Sequence, residues 1–187
     1  MTGDTADRPP ERMLLHVCCG PCASGAVPFW QNQGVGVTGF FFNPNIHPLL
    51  EFRRRLTAAR EAADHARILL TVDDSYDPEA WFGATASGQG TRCDNCIAMR
   101  LDRTAREAVL QGCGTFSTSL AISPWQDHEA ILAHGEGAGR QHGVRFLYRD
   151  LRPYYDASRR ASRRLGLYQQ KYCGCLVSEW ERFRERV

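Results

Sequence analysis

Residues 13–22 read Met13-Leu14-Leu15-His16-Val17-Cys18-Cys19-Gly20-Pro21-Cys22. The first five are a short apolar run, and a Cys/Gly/Pro turn follows at once. That is the pattern of a buried strand ending at a loop that carries chemistry. From the turn a helix is expected to about Gln33, with Pro28 kinking or shortening it. Working outward, residues 37–42 (VTGFFF), 68–72 (ILLTV), 115–119 (TFSTS) and 144–148 (VRFLY) repeat the strand pattern.

Amphipathic stretches fill the gaps. Pro48 opens a helix with Phe52, Leu56, Ala59, Ala63 and Ala66 on one face. Residues 73–83 read as an acidic loop plus DPEAWFG. A long helix at about 94–111 turns Ile97, Leu101, Ala105, Ala108 and Val109 inward, and another begins near Asp127. Two more are expected at 154–165 and 178–186, with Ser178 as the second one's N-cap. Strands alternating with helices predict an α/β fold: a single-domain, doubly wound, mostly parallel sheet of about five strands over residues 13–187. The polar, proline-containing residues 1–12 read as a disordered tail. CCGPC, NPNIHP, DDSY, SLAISPW and RDLRP each follow a strand. All five are therefore expected at the carboxyl edge of the sheet, where open α/β sheets bind ligands.

A chain of 187 residues buries roughly 70% of its unfolded surface and needs no disulfide staples. Its eight cysteines need another explanation. No secretory leader and no apolar run of about 18 residues is seen, so a reducing cytoplasm is the expectation and a membrane is not. In that compartment clustered cysteines serve as metal ligands or redox centres. Three clusters stand out: Cys18, Cys19 and Cys22; Cys93 and Cys96; Cys173 and Cys175. Thiolates are soft ligands for iron–sulfur clusters, zinc or copper(I). Two of the clusters are expected to open helices, whose positive ends stabilise thiolates. Seven thiols exceed the four that one tetrahedral zinc or one four-iron cluster takes, so a second metal or a catalytic thiol is implied. Cys113 stands apart as a buried or free thiol. Two competing readings remain at this point. Cys19-Gly-Pro-Cys22 looks like the dithiol of a thiol–disulfide oxidoreductase, and the CxxC plus CxC pair would satisfy the four ligands of a zinc-stabilised binding module without redox activity.

Six ordered blocks carry a resemblance: LLHVCCGPCA, FFNPNIHPLLEFRRRL, RCDNC followed by RL, STSLAISPWQDHE, VRFLYRDLR and LGLYQQKYCGCLVS. Together they resemble the QueH-type epoxyqueuosine reductases over about residues 14–178. The resemblance implies a HUP-like α/β fold and reduction of the epoxide of epoxyqueuosine in tRNA to queuosine, the last step of that biosynthesis. It also implies a four-iron four-sulfur cluster with a neighbouring mononuclear iron, and a substrate tRNA carrying epoxyqueuosine at the wobble position. An external electron donor completes the set. Departures from the family pattern are Ile97 and Trp125, where tyrosine is usual, and PYYDA after Leu151.

Beyond the seven cysteines, Asp150 is the first candidate for an additional ligand or acid, against a surface carboxylate paired with Arg149 or Arg152. His128 is divided between helix capping and proton transfer, and His16 is read as a hydrogen-bonded core histidine. Asn43, Asn45, His47, Ser123, Trp125 and Arg149 are candidate substrate contacts. Trp125, Phe42 or Tyr154 could stack on a splayed-out base. Residues 149–187 hold ten Lys+Arg against five Asp+Glu, whereas the first 148 hold thirteen against sixteen. Arg53 and Arg54, with Arg55, and Arg159 and Arg163, with Arg160 and Arg164, are the candidates for tRNA phosphates.

Overall fold

The computed structural model describes residues 12–87 and 90–186. The expected tail at 1–12 lies outside them except for Arg12. Five strands form one all-parallel sheet: β1 (Arg12–His16), β2 (Gly36–Phe41), β3 (Leu70–Val72), β4 (Thr115–Thr118) and β5 (Arg145–Phe146), in the spatial order β3-β2-β1-β4-β5. The order reverses between β1 and β4, the crevice where doubly wound sheets bind ligands.

β1 is central, and its residues alternate between two cores. Met13, Leu15 and Val17 pack into one, with α1 (Gly20–Asn32) and α2 (Leu49–Ala66). Leu14 packs into the other, with α4 (Arg92–Leu110) and α5 (His128–His142). Burial on both faces is why the strand reads as a continuous apolar run. α1 and α2 approach so closely that a side chain at Gly20 would collide with the Ala58 carbonyl. α3 (Pro78–Ser87), α6 (Tyr155–Arg164) and α7 (Leu176–Phe183) complete the helices, with short 3-10 turns at Ser119–Ile122, Arg152–Tyr154 and Arg184–Arg186.

Several expectations shift. β3 and β5 are shorter than read, because edge strands pair on one side only. α3 occupies a stretch read as loop. Asp77 caps it by accepting from Ala80 N at 2.9 Å, but Trp81 and Thr85 alone of its described side chains are buried, so no apolar stripe announces it. α4 starts at Arg92, capped by Thr91, whose Oγ1 accepts from Asp94 N at 3.2 Å. Val109, read as inward, lies at the end of α4 and is half exposed. α1 runs through Pro28 without ending there. Cys175 rather than Ser178 is the N-cap of α7.

His16 explains how the crevice is held shut beneath the loops. Its Nε2–H donates to the Phe42 carbonyl at 3.1 Å, and Nδ1 accepts from Thr118 Oγ1 at 2.9 Å. Thr118 Oγ1 in turn accepts from Leu120 N at 3.1 Å. Burial holds the imidazole neutral, with its pKa pushed down to about 3. The core reading of this histidine is correct.

Candidate metal centre

The first thiols lie where β1 gives way to α1, directly at the crevice. Cys19 is the N-cap of α1 and its Sγ accepts from Cys22 N at 3.4 Å. Gln170 Nε2 donates to the same sulfur at 2.8 Å. Cys18 N donates to Ser119 Oγ at 2.9 Å, and Ser119 Oγ donates to Cys18 Sγ at 3.2 Å, which ties the loop to the end of β4. The sulfurs of Cys18, Cys19 and Cys22 all lie within 4.8 Å of one another. Burial opposes ionisation at Cys19. Hydrogen bonds from Cys18, from Cys22 and from the Cys22 backbone, with the Arg55 charge, nevertheless hold its thiol well below the ordinary range. Cys18 is pushed up by its bond to Cys19, and Cys22 is pushed up by its bonds to both neighbours. Cys19 is 2% exposed and does not line the cleft, which suits a ligand and disfavours a disulfide-exchange dithiol, whose attacking sulfur must be accessible.

The other four clustered cysteines open the other two helices of this edge, so all three clusters, not two, sit at helix N-termini. Cys93 and Cys96 occupy the start of α4, the first exposed and the second buried. Cys175 caps α7 by accepting from Ser178 N at 3.4 Å, while Cys173 just before it is exposed and receives Gln126 Nε2 at 3.6 Å. Cys96 and Cys175 share a small apolar cluster with Trp81. Cys113 is buried in the α4/α5 core, away from the clusters.

The loop carrying Cys173 and Cys175 is pinned from below. Arg55, 2% exposed, pairs with Glu51 at 2.7 Å and donates to the carbonyls of Cys173 at 2.6 Å and Tyr172 at 3.1 Å. Tyr168 Oη donates to the second Glu51 oxygen at 2.6 Å. Arg55 is therefore a structural anchor, not part of a phosphate-binding triple. Gly174 adopts φ +157°, and a Cβ there would lie 2.6 Å from Asn45 Nδ2.

Cys18, Cys22 and Cys173 open into a cleft of about 680 Å³, a volume usual for small-ligand sites. Trp125, 81% exposed, Ser123 and Arg159 line it as expected of contact residues. The sequence reading missed Arg100, Gln126, Gln170 and Lys171, which line it too. One signal for Arg100 was available: it falls three residues after Ile97 and four after Cys96, on the inward stripe of α4. The lining carries Arg100, Arg159, Lys171 and Arg182 against one carboxylate, Glu181.

Other candidates are placed elsewhere. Asn43 is buried and donates to the Val17 carbonyl at 2.9 Å, locking β2 to β1. Asn45 packs beneath Gly174. His47 is buried against Trp81 and Phe82, ring centroids 5.0 and 5.3 Å away, while its backbone N donates to Gly174 O at 2.8 Å. Asn45 and His47 lie against the Cys173 loop, and none of the three lines the cleft. Phe42 stacks on Phe40, and Tyr154 meets Phe29 edge-on. Arg53 and Arg54 are exposed on α2 along a shallower groove beside Tyr168. Arg149 and Arg163 are exposed outside the cleft. His128 caps nothing, since Asp127 caps α5. Its Nδ1 accepts from Tyr148 Oη at 2.7 Å and its Nε2 donates to Ser123 O at 3.0 Å, so it braces the SPW loop.

Asp150 is corrected most clearly. It is exposed, it does not line the cleft, and Arg152 grips both of its oxygens at 2.6–3.0 Å. That bond holds its carboxyl down at about 2. A carboxylate ionised at all working pH values is no proton donor. The stability this pair contributes is complete above the ordinary carboxylate range and is lost only as pH falls through about 2. D150N is expected to keep activity within about fivefold, the limit for a surface pair, with an unaltered pH–rate profile. A lost acidic limb in that profile would restore a catalytic role.

Comparison with known proteins agrees with this geometry. The family model described as "Epoxyqueuosine reductase QueH" matches residues 13–181. A Dehalococcoides mccartyi protein of the same description is 41% identical over 172 residues, covering 92% of this chain and 94% of the relative. A Thermotoga maritima relative, also described as "Epoxyqueuosine reductase QueH", is 34% identical over 179 residues, covering 91% of each. Among solved structures, a Methanocaldococcus jannaschii protein described as a "predicted subunit of tRNA methyltransferase" superposes with a TM-score of 0.53 at 14% identity, covering 81% of this chain and 76% of that one, a likeness of fold alone. A cysteine-lined cleft at the reversal point of a parallel sheet thus sits inside a match that spans nearly the whole chain, and the chain belongs to the QueH family of epoxyqueuosine reductases.

Proposed function

We propose that this enzyme reduces the epoxide of epoxyqueuosine in tRNA to queuosine, in the cytoplasm, using electrons from an external one-electron donor. The observation that carries the reading is the three-sulfur group of Cys18, Cys19 and Cys22 at a cationic cleft that Cys173 also lines. Removing an epoxide oxygen as water takes two electrons and two protons, which no side chain in the cleft supplies on its own. The donor set fits iron: three sulfurs within 4.8 Å, with Cys93, Cys96, Cys173 and Cys175 at neighbouring helix starts. These seven cysteines would hold a four-iron four-sulfur cluster with an adjacent mononuclear iron, which would supply single electrons and a Lewis acid for the epoxide oxygen.

The rest of the chemistry belongs to the chain. Gln170 and Ser119 orient the Cys19 and Cys18 sulfurs by donating to them. Arg159 and Lys171 on the cleft wall hold tRNA phosphates, with Arg53, Arg54 and Arg163 as outlying contacts. Trp125 presents an open ring face for the extruded base. Stacking of that kind is worth about 1–3 kcal/mol per base, so W125A is expected to raise KM roughly 5- to 150-fold with little change in kcat. R159A is expected to lower the salt dependence of tRNA binding by about 0.7 in log–log slope, one phosphate contact on a single strand. An unchanged slope would remove Arg159 from the RNA path.

The deciding experiment is anaerobic reconstitution, with iron, acid-labile sulfide and zinc counted per chain, followed by an assay on epoxyqueuosine-tRNA. Iron and sulfide with queuosine formation support the reading. Full activity with zinc alone overturns it.

A further inference from the structure

Arg100 lies in α4 one turn beyond Cys96, 3% exposed, at the floor of the cleft beside Cys18 and Cys173. Its Nε donates to the Cys96 carbonyl at 3.2 Å, and its own carbonyl accepts from Thr104 Oγ1 at 2.7 Å. Among the described residues no carboxylate pairs with it, unlike Arg55, Arg92, Arg103 and Arg152. A buried guanidinium without an anion is strongly unfavourable. The cleft it lines is lined also by Cys18, Cys22 and Cys173, and the carbonyl it holds is that of Cys96. These four cysteines come from all three clusters. Arg100 is thus a fixed cation that the β1–α1 loop, α4 and the C-terminal loop have in common.

We propose that Arg100 is a positioning residue whose charge compensates the thiolates of the metal centre, retaining the bound metal group and setting how readily it accepts an electron. The electronic half of this rests on the iron–sulfur reading above; the retention half holds for any thiolate-bound metal. In a low-dielectric site a nearby cation favours the more negative, reduced state. Removing that cation makes reduction harder.

The test compares wild type, Arg100→Gln and Arg100→Lys, each reconstituted without oxygen and checked for fold by circular dichroism. Metal per chain and the midpoint potential from a spectroscopic redox titration are the readouts. The glutamine variant has no charge and keeps a donor. It is expected to bind less metal, or to hold it with a midpoint moved negative. At the wild-type midpoint its reduced-to-oxidised ratio then falls about tenfold, 59 mV for one electron. The lysine variant is expected to stay near wild type in both. A glutamine variant equal to wild type in both readouts overturns the inference, as does a lysine variant as impaired as the glutamine one. If the glutamine variant does not fold, the lysine variant decides: native metal content and midpoint support the role of charge, and loss of either in a folded protein refutes it. Wild-type protein that takes up zinc only defeats the reductase reading and leaves the retention test standing. Iron-loaded wild type beside an indifferent glutamine variant defeats only the arginine inference.

Discussion

Replacing Cys19 by alanine is expected to abolish metal uptake and reduce activity to background while the protein stays folded. The Cys19 sulfur receives the Cys22 backbone N–H, the Gln170 amide and the Cys18 thiol, bonds that lower its pKa. Alanine offers no sulfur there, so a ligand is lost rather than weakened. The structural cost is that of an N-cap, about 0.5–2 kcal/mol. For a chain of this size that lowers Tm by roughly 1–8 °C. The control is Cys113→Ala, in the opposite core, which is expected to retain the full metal complement. Metal counted on both variants, with a melting curve for each, separates loss of a ligand from loss of the fold. Cys19→Ala protein that still binds the wild-type amount of iron would remove Cys19 from the centre.

The second large effect is expected at Arg55. Its replacement by methionine leaves the Glu51 carboxylate buried, with Tyr168 as its remaining partner, and strips the carbonyls of Tyr172 and Cys173 of their donors. Breaking a buried pair by removing one partner costs about 3–5 kcal/mol. The expected fall in Tm is about 6–20 °C. The damage is also local, because Arg55 is what fastens the Cys173–Cys175 loop to α2. Metal content is therefore expected to fall together with stability. The double variant Glu51→Gln/Arg55→Met is expected to recover part of the lost stability and none of the loop's anchoring. Thermal melts and limited proteolysis between residues 168 and 175 read these two effects separately. A melting point within about 3 °C of wild type for Arg55→Met would show that the loop is held by something else.

Much of this protein was legible along the chain. The order of strands and helices follows from local apolar periodicity, which needs only a few neighbours to be read. The five functional segments landed at the carboxyl edge because in a parallel sheet every loop after a strand must be there. Three tight cysteine groups announced a candidate metal centre by residue type alone. The missed α3 and the shortened edge strands mark the limit of that signal: a helix with few inward residues and a strand paired on one side carry little periodicity.

What only the tertiary structure decided is which charges are spent on the fold and which on the site. Arg53, Arg54 and Arg55 are identical in type and adjacent in sequence, yet the third falls three residues after Phe52 and is turned inward onto carbonyls more than a hundred residues away. Asp150 reads in sequence as either a ligand or acid or a surface partner of Arg149 or Arg152, and the structure shows Arg152 gripping both its oxygens. Arg100, Gln170 and Lys171 come to the cleft from α4 and from the C-terminal loop, which a sequence lists far from Cys18. Local pattern determines where an element lies and which face it buries. A buried charge or a metal ligand takes its role from partners that only folding brings near, and no local pattern encodes those.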